Sequence, residues 1–158
     1  MTGIAPPPGV HGGDGGRLAA VLGVAVEDVL DLSASLNPVA ADPVPVVAAH
    51  LGALRRYPDP SAALAALAAT MGVDADRLVL TNGGAEAIAL VAAEYTKGSI
   101  VEPEFSLYRR HLATVDPQAP RWRSNPHNPS GRLADPGDRA AVWDEAFWPL
   151  STGTTVAP

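Results

Sequence analysis

Two prolines, Pro126 and Pro129, punctuate the run S-N-P-H-N-P-S-G-R-L that starts at Ser124. Each pyrrolidine ring locks its own φ and keeps the preceding residue out of the helical region. Asn125 and Asn128 are therefore pushed towards extended conformations, and each amide side chain acquires a defined direction. Ser130-Gly131 then turns the chain. A short apolar run follows, delivering W-D-E-A-F at Trp143–Phe147. A strand over Ala140–Trp143 would end on Asp144, and open α/β sheets place ligands at the carboxyl ends of their strands.

An amide and a carboxylate placed in this way suit a flat, electron-poor ring. The carboxylate accepts a hydrogen bond from a ring N–H⁺, and the amide donates to a ring oxygen. Pyridoxal phosphate (PLP) needs both, because an aspartate on the pyridinium nitrogen keeps the ring protonated and makes it an electron sink. Taken singly, N-P-x-N-P also reads as a plain turn and Asp144-Glu145 as a solvated edge. In this order and spacing, accident explains the pair poorly.

Upstream, Arg77–Thr81 (R-L-V-L-T) reads as a buried strand, Asn82-Gly83-Gly84-Ala85-Glu86 as a tight turn, and Ala85–Tyr95 as a helix. Such a unit points free N–H groups and the positive end of a helix dipole at one spot, which suits a phosphate dianion. Beyond it, Lys97-Gly98 reads as a turn, Ser99–Val101 as a strand, Arg109–Val115 as part of a short helix and Asp116–Arg123 as a Pro-rich connector.

Nearer the N-terminus, Met1–Gly16 is a Pro/Gly-rich arm or lid. It is no dinucleotide fingerprint, since no strand precedes it and its glycine spacing differs. Arg17–Leu22 reads as a helix ended by Gly23, with a second short turn in Val24–Leu30. An extended run from Leu30 to Leu36 is closed by Asn37-Pro38. Pro43–Leu54 can be helical with Pro45 in its first turn. R-R-Y-P-D-P at Arg55–Pro60 breaks that helix. Ser61 can cap a helix over Ala62–Met71, in which Leu64, Leu67, Ala68 and Met71 recur at helical spacing, and Gly72 stops it.

The chain of 158 residues is long enough for one domain with a real core. Its net charge of −6 argues against nucleic acid or an anionic membrane as the main partner. The sequence has no cysteine, which excludes disulfides and thiolate metal sites, and its four histidines lack ligand spacing, so no metal is expected. Apolar runs stop well short of the roughly 20 residues of a membrane span. The N-terminus lacks the charged and apolar regions of a secretory signal. The expectation is a soluble cytoplasmic protein.

The pairing of S-N-P-H-N-P-S-G with W-D-E-A-F resembles the signature of fold-type I PLP enzymes of the aminotransferase class I/II group. The branch it resembles most holds histidinol-phosphate aminotransferases and cobalamin-pathway threonine-phosphate decarboxylases. The resemblance implies an α/β, PLP-transferase-like large domain, a three-layer αβα arrangement with a mostly parallel sheet, present incompletely. Residues 1–40 would form an N-terminal arm and substrate-side segment, and residues 41–158 part of the PLP-binding large domain.

The resemblance assigns Gly84, Ala85 and Glu86 to the cofactor phosphate and Asp144 to the ring nitrogen. It assigns Asn128 to the ring oxygen. Phe105, in a P-x-[FY]-x-x-Y element with Tyr108 one helical turn on, would stack on the pyridine face. Tyr57 of R-Y-P-D-P would reach the phosphate of the other subunit, which implies a homodimer. His11 and Gly12 of the H-G-G arm, and Asn37, fall on the side of a small amino acid substrate. Plain readings stand beside these: a loose tail, a turn before proline, a buried tyrosine, core aromatics.

Departures from the family pattern matter as much. The passages flanking N-P-x-N-P are short, and Phe147 stands where many relatives carry a tyrosine, which leaves Asn128 alone on the ring oxygen. The family's Schiff-base lysine lies beyond D-E-A-F, in an S-x-[ST]-K context. The single lysine of this sequence, Lys97, lacks that context, so no catalytic residue is assigned. H-G-G and Phe147 favour a decarboxylase-like enzyme of cobalamin biosynthesis, acting on a possibly phosphorylated amino acid, over a histidinol-phosphate-type transaminase. The alternative is a non-catalytic remnant or fragment that binds phosphate, PLP or a partner chain. An exposed apolar seam is expected where further strands would pair.

Overall fold

The computed structural model describes residues 12–33, 36–37 and 39–152. The chain divides into two compact units, Met1–Arg56 and Tyr57–Pro158.

In the first unit, helix α1 (Gly15–Leu22) ends at Gly23, whose φ of 66° is the left-handed conformation that stops a helix. A 3₁₀ turn follows at Val26–Asp28. The helix expected over Pro43–Leu54 is two shorter pieces, α2 (Val44–Ala49) and a 3₁₀ stretch at Leu51–Arg55. The break falls at His50. Its ring Nδ1 lies 2.8 Å from the Val46 carbonyl, and its backbone N–H goes to Val47 instead.

The second unit begins with α3 (Ser61–Met71), stopped by Gly72 at φ 67°. Ser61 is the first helical residue and not the cap. Asp59 does that work, its Oδ1 accepting from the Ser61 N–H at 3.0 Å and the Ser61 hydroxyl at 2.6 Å. The strand expected over Arg77–Thr81 does not form. A 3₁₀ turn occupies Ala75–Arg77, and although Leu78 is extended, nothing among the described residues pairs with it. Val79, expected to be buried in that strand, is 77% exposed.

Next come α4 (Gly83–Glu94), β1 (Lys97–Gly98), α5 (Ser106–His111), β2 (Thr114–Val115), β3 (Trp122–Ser124), β4 (Val142–Asp144) and α6 (Trp148–Thr152). Strand β1 pairs in parallel with β2, and β3 with β4. A parallel bridge from Ser99 to Arg121 joins the two pairs. Lys97-Gly98 is thus strand where a turn was expected, and Ser99 is its last paired residue. Helix α5 stops at His111, because Leu112 is extended and the β-branched Thr114 and Val115 take up the sheet. The Pro-rich connector likewise gives way to strand at Trp122. The result is a mixed α/β fold with short parallel strand pairs.

The core of this unit gathers Ile88 and Ala92 of α4, Leu107 and Tyr108 of α5, Leu112 and Trp122. Trp122 is 1% exposed and lies directly over Gly98. A Cβ built on Gly98 would sit 2.7 Å from the Trp122 ring and 2.7 Å from Leu112 Cδ1, so glycine is what lets the indole approach the strand. Among the described residues, no helix is long and apolar enough to cross a membrane. No group of three metal-ligating side chains occurs among them either.

Candidate functional site

Strands β3 and β4 end together, with Ser124 opposite Asp144. The Asn125 N–H donates to the Asp144 carbonyl at 2.8 Å, so the proline loop leaves the sheet where the aspartate ends it. Both Asn-Pro bonds of that loop are cis. The Ser130-Gly131 turn forms, with Gly131 at φ 72° and its N–H donating to the His127 carbonyl at 2.7 Å.

Asp144 closes β4, one residue after the expected strand end at Trp143. Its Oδ2 accepts from the Tyr108 hydroxyl at 2.9 Å and its Oδ1 from the Ala146 N–H at 3.1 Å. Burial, reinforced by the charges of Asp144 and Glu104, raises the Tyr108 phenol well above its ordinary pKa. Tyr108 therefore stays a protonated donor, and the carboxylate is held in one orientation.

A cavity of about 350 Å³ lies between the start of α4 and the end of β4. Gly84, Ile88, Tyr108, Trp122, Asp144 and Ala146 are among its lining residues. It brings together the helix start read as a phosphate spot and the aspartate read as a ring partner. A Cβ on Gly84 would meet nothing within 4 Å, so the backbone there stands open to a ligand.

The other candidates are placed differently. Ala85 and Glu86 share the first turn of α4 with Gly84 but do not line the cavity. The Glu86 carboxylate turns back to accept from the Asn82 backbone N–H and from Asn82 Nδ2. Phe105 packs edge-on against Tyr108 at 5.9 Å and stays outside the lining. Asn128 also lies outside it, its backbone N–H donating to Ser124 Oγ at 2.7 Å. Tyr57 is 98% exposed.

Lys97 is exposed on β1 and not in the lining. In the first unit, Asn37 closes its own turn, Oδ1 accepting from the Val39 N–H at 3.0 Å. Gly12 lies against the backbone of Ser33, where any Cβ would clash. His11 lies outside the described residues.

From the sequence, Tyr108 reads only as a companion of Phe105 or as core. The structure gives it a second part, as hydrogen-bond partner of Asp144. The signal was present: a tyrosine three residues after Phe105 shares its helical face, and a buried phenol needs an acceptor. Asn125 proves architectural, its Oδ1 accepting from the Ala134 N–H at 2.9 Å.

Three curated proteins share similarity with this chain. A threonine-phosphate decarboxylase from Salmonella typhimurium is 36% identical over 119 residues, covering 71% of this chain and 32% of that protein. A histidinol-phosphate aminotransferase from Thiobacillus denitrificans is 30% identical over 147 residues, covering 73% and 38%. One from Dechloromonas aromatica is 26% identical over 174 residues, covering 83% and 48%. These likenesses support the class I/II aminotransferase superfamily of PLP proteins. No family model matches the chain. The chain spans about a third of the length of the first two relatives, at 32% and 38%.

Proposed function

We propose that the cavity between α4 and β4 is a PLP site, in a protein of the aminotransferase/decarboxylase kind acting on a small amino acid. The observation that carries this is the convergence of Gly84 and Asp144 on one cavity. The residues present fit the group: an oriented carboxylate at a strand end, an open helix start, and aromatic walls from Tyr108 and Trp122. The cavity is also of the size that small-molecule sites take, roughly 300–1,000 Å³.

In this reading Asp144 accepts the ring N–H, and Tyr108 holds the carboxylate in place while doing so. The first-turn N–H groups of α4, at Gly84, Ala85 and Glu86, would hold the phosphate, with Gly84 at the cavity wall and the other two behind it. Tyr108 and Trp122 exclude water from one side, with Phe105 packed behind Tyr108. Bound there, the cofactor supplies an electron sink for the substrate's α-carbon.

Asn128 at the ring oxygen, and His11, Gly12 and Asn37 on the substrate side, complete the proposal. So does a homodimer in which the exposed Tyr57 reaches the second copy. The named similarity to a threonine-phosphate decarboxylase, with H-G-G and Phe147, favours a decarboxylase-like role in cobalamin biosynthesis over histidinol-phosphate-type transamination. A complete αβα large domain and a cytoplasmic location belong to the same reading.

A second reading has its own observation. Lys97, the single lysine of the sequence, is exposed on β1 and stands outside the cavity. A chain that binds PLP or phosphate without attaching it covalently fits that placement.

Titrating the full chain with PLP, followed by borohydride reduction, tests both readings. Saturable binding is expected. Asp144→Asn should weaken it about ten-fold or more, as loss of a charge-assisted hydrogen bond worth about 1.5–3 kcal/mol implies, and Gly84→Val should weaken it as well by filling the open space beside the helix start. Unchanged affinity in both variants removes the cofactor site. Borohydride-fixed label on Lys97 would count against the non-covalent reading, and fully dialysable cofactor would support it.

A further inference from the structure

A second cleft lies in the Tyr57–Pro158 unit, with a volume of about 480 Å³. Its polar wall includes Arg121, Arg132 and His127 beside four carboxylate residues, and its apolar wall Val101, Pro103 and Leu133. It shares only Arg123 with the Asp144 cavity. Arg121 immediately precedes β3. Successive residues of an extended chain point to opposite faces, so Arg121 faces away from the side on which Trp122 enters the core.

We infer that this cleft binds a small organic acid, its carboxylate on the guanidinium of Arg121 and its apolar body against Pro103 and Leu133. Among the described residues, only two buried side-chain nitrogen or oxygen atoms lack a hydrogen-bond partner: Arg121 Nε and Trp122 Nε1. The indole belongs to the core, whereas Arg121 lines the cleft. A buried, unpaired N–H of a cation is costly, and an acceptor in the cleft removes that cost.

The protein's own acceptors here are largely engaged elsewhere. Glu102 accepts from Arg109 at 2.8 and 2.9 Å. Glu104, with its side chain 3% exposed, accepts from the Ser124 hydroxyl at 2.7 Å. Asp138 lies close enough to Arg121 to feel its charge, but it pairs with Arg123 and accepts from the Asp135 N–H at 2.8 Å, leaving Arg121 Nε without a hydrogen bond. Asp135 is exposed at the rim.

His127 stiffens the wall. Its Nε2 lies 2.7 Å from the Pro103 carbonyl and its Nδ1 2.7 Å from Ser130 Oγ. The flat fork of a guanidinium matches a carboxylate with two parallel hydrogen bonds. The apolar half of the wall selects a carboxylate with a hydrocarbon body over a bare oxyanion.

Calorimetric titration of the full chain with phenylacetate, against inorganic phosphate at matched ionic strength, is the test. Saturable phenylacetate binding is expected, weakened ten-fold or more (about 1.4 kcal/mol) by Arg121→Gln. Absence of saturable binding by the wild type overturns the inference. So does equal binding by Arg121→Gln, or phosphate binding as tight as that of phenylacetate. If Arg121→Gln loses its circular dichroism signature, Leu133→Asp takes its place. Leu133 is 47% exposed, so the fold should tolerate the change, while the new negative charge on the apolar wall should weaken phenylacetate ten-fold. Undiminished binding by that variant overturns the inference equally.

Discussion

Replacing Gly98 by alanine places one methyl group where the core has no room for it. The added Cβ would lie 2.7 Å from Leu112 Cδ1, 2.7 Å from Trp122 Cδ1 and 2.8 Å from Trp122 Nε1. Non-bonded heavy atoms prefer about 3.5–4.0 Å, so the ring must retreat by close to 1 Å. Trp122 is 1% exposed and packs on Tyr108 at a centroid distance of 6.0 Å, so that retreat disturbs the whole aromatic cluster. Overpacking of this kind costs about 1–3 kcal/mol. A 2 kcal/mol loss changes the folding equilibrium about 30-fold, and at a slope near 2 kcal/mol/M it moves the urea midpoint by about 1 M. Urea unfolding followed by circular dichroism reads this directly. Gly137→Ala, in the same unit and with nothing within 4 Å of its built Cβ, is the control and should leave the midpoint nearly unchanged. Equal midpoints for Gly98→Ala and the control would refute the close packing of Trp122 on β1.

Two further perturbations act on single contacts. Below about pH 10 both the folded and the unfolded chain hold the Tyr108 proton; above it the unfolded chain releases it while the folded one keeps it, because the folded pKa is raised. Stability therefore falls as pH rises beyond 10, and Tyr108→Phe should flatten that limb of a urea-midpoint series while lowering the plateau; parallel curves would contradict the burial of the phenol. In the first unit, the Ser33 hydroxyl donates to Asp31 at 2.6 Å and, with the Ser33 N–H, holds that carboxyl below its ordinary pKa. Ser33→Ala should raise the Asp31 pKa towards its ordinary value in an NMR titration, and should speed exchange of the Gly13 amide, which donates to Ser33 Oγ at 3.0 Å.

What the sequence determined by itself is mostly local stereochemistry. Gly23, Gly72 and Gly131 are legible as stops and turns because a positive φ is a property of one residue and its neighbours. A helix after the Asn82 turn, read from Ala85 and found to begin at Gly83, and Asp144 at the end of a short apolar run, follow from the same short-range rules. Tertiary structure decided whatever depends on a distant partner. The apolar Leu78–Leu80 segment and the unpromising Lys97-Gly98 exchanged roles, since a strand exists only where another strand pairs with it. Phe105 and Tyr108 are both aromatic and three residues apart; only the packing of α5 beside α4 and β3 turned the tyrosine hydroxyl, and not the phenyl ring, towards the candidate site. The place of Glu86 in a helix start is legible in the sequence, whereas the return of its carboxylate to Asn82 depends on how the turn folds. The unpaired nitrogen of Arg121 had no sequence signal at all, because whether a guanidinium finds a partner depends on which acceptors the fold has already engaged around it.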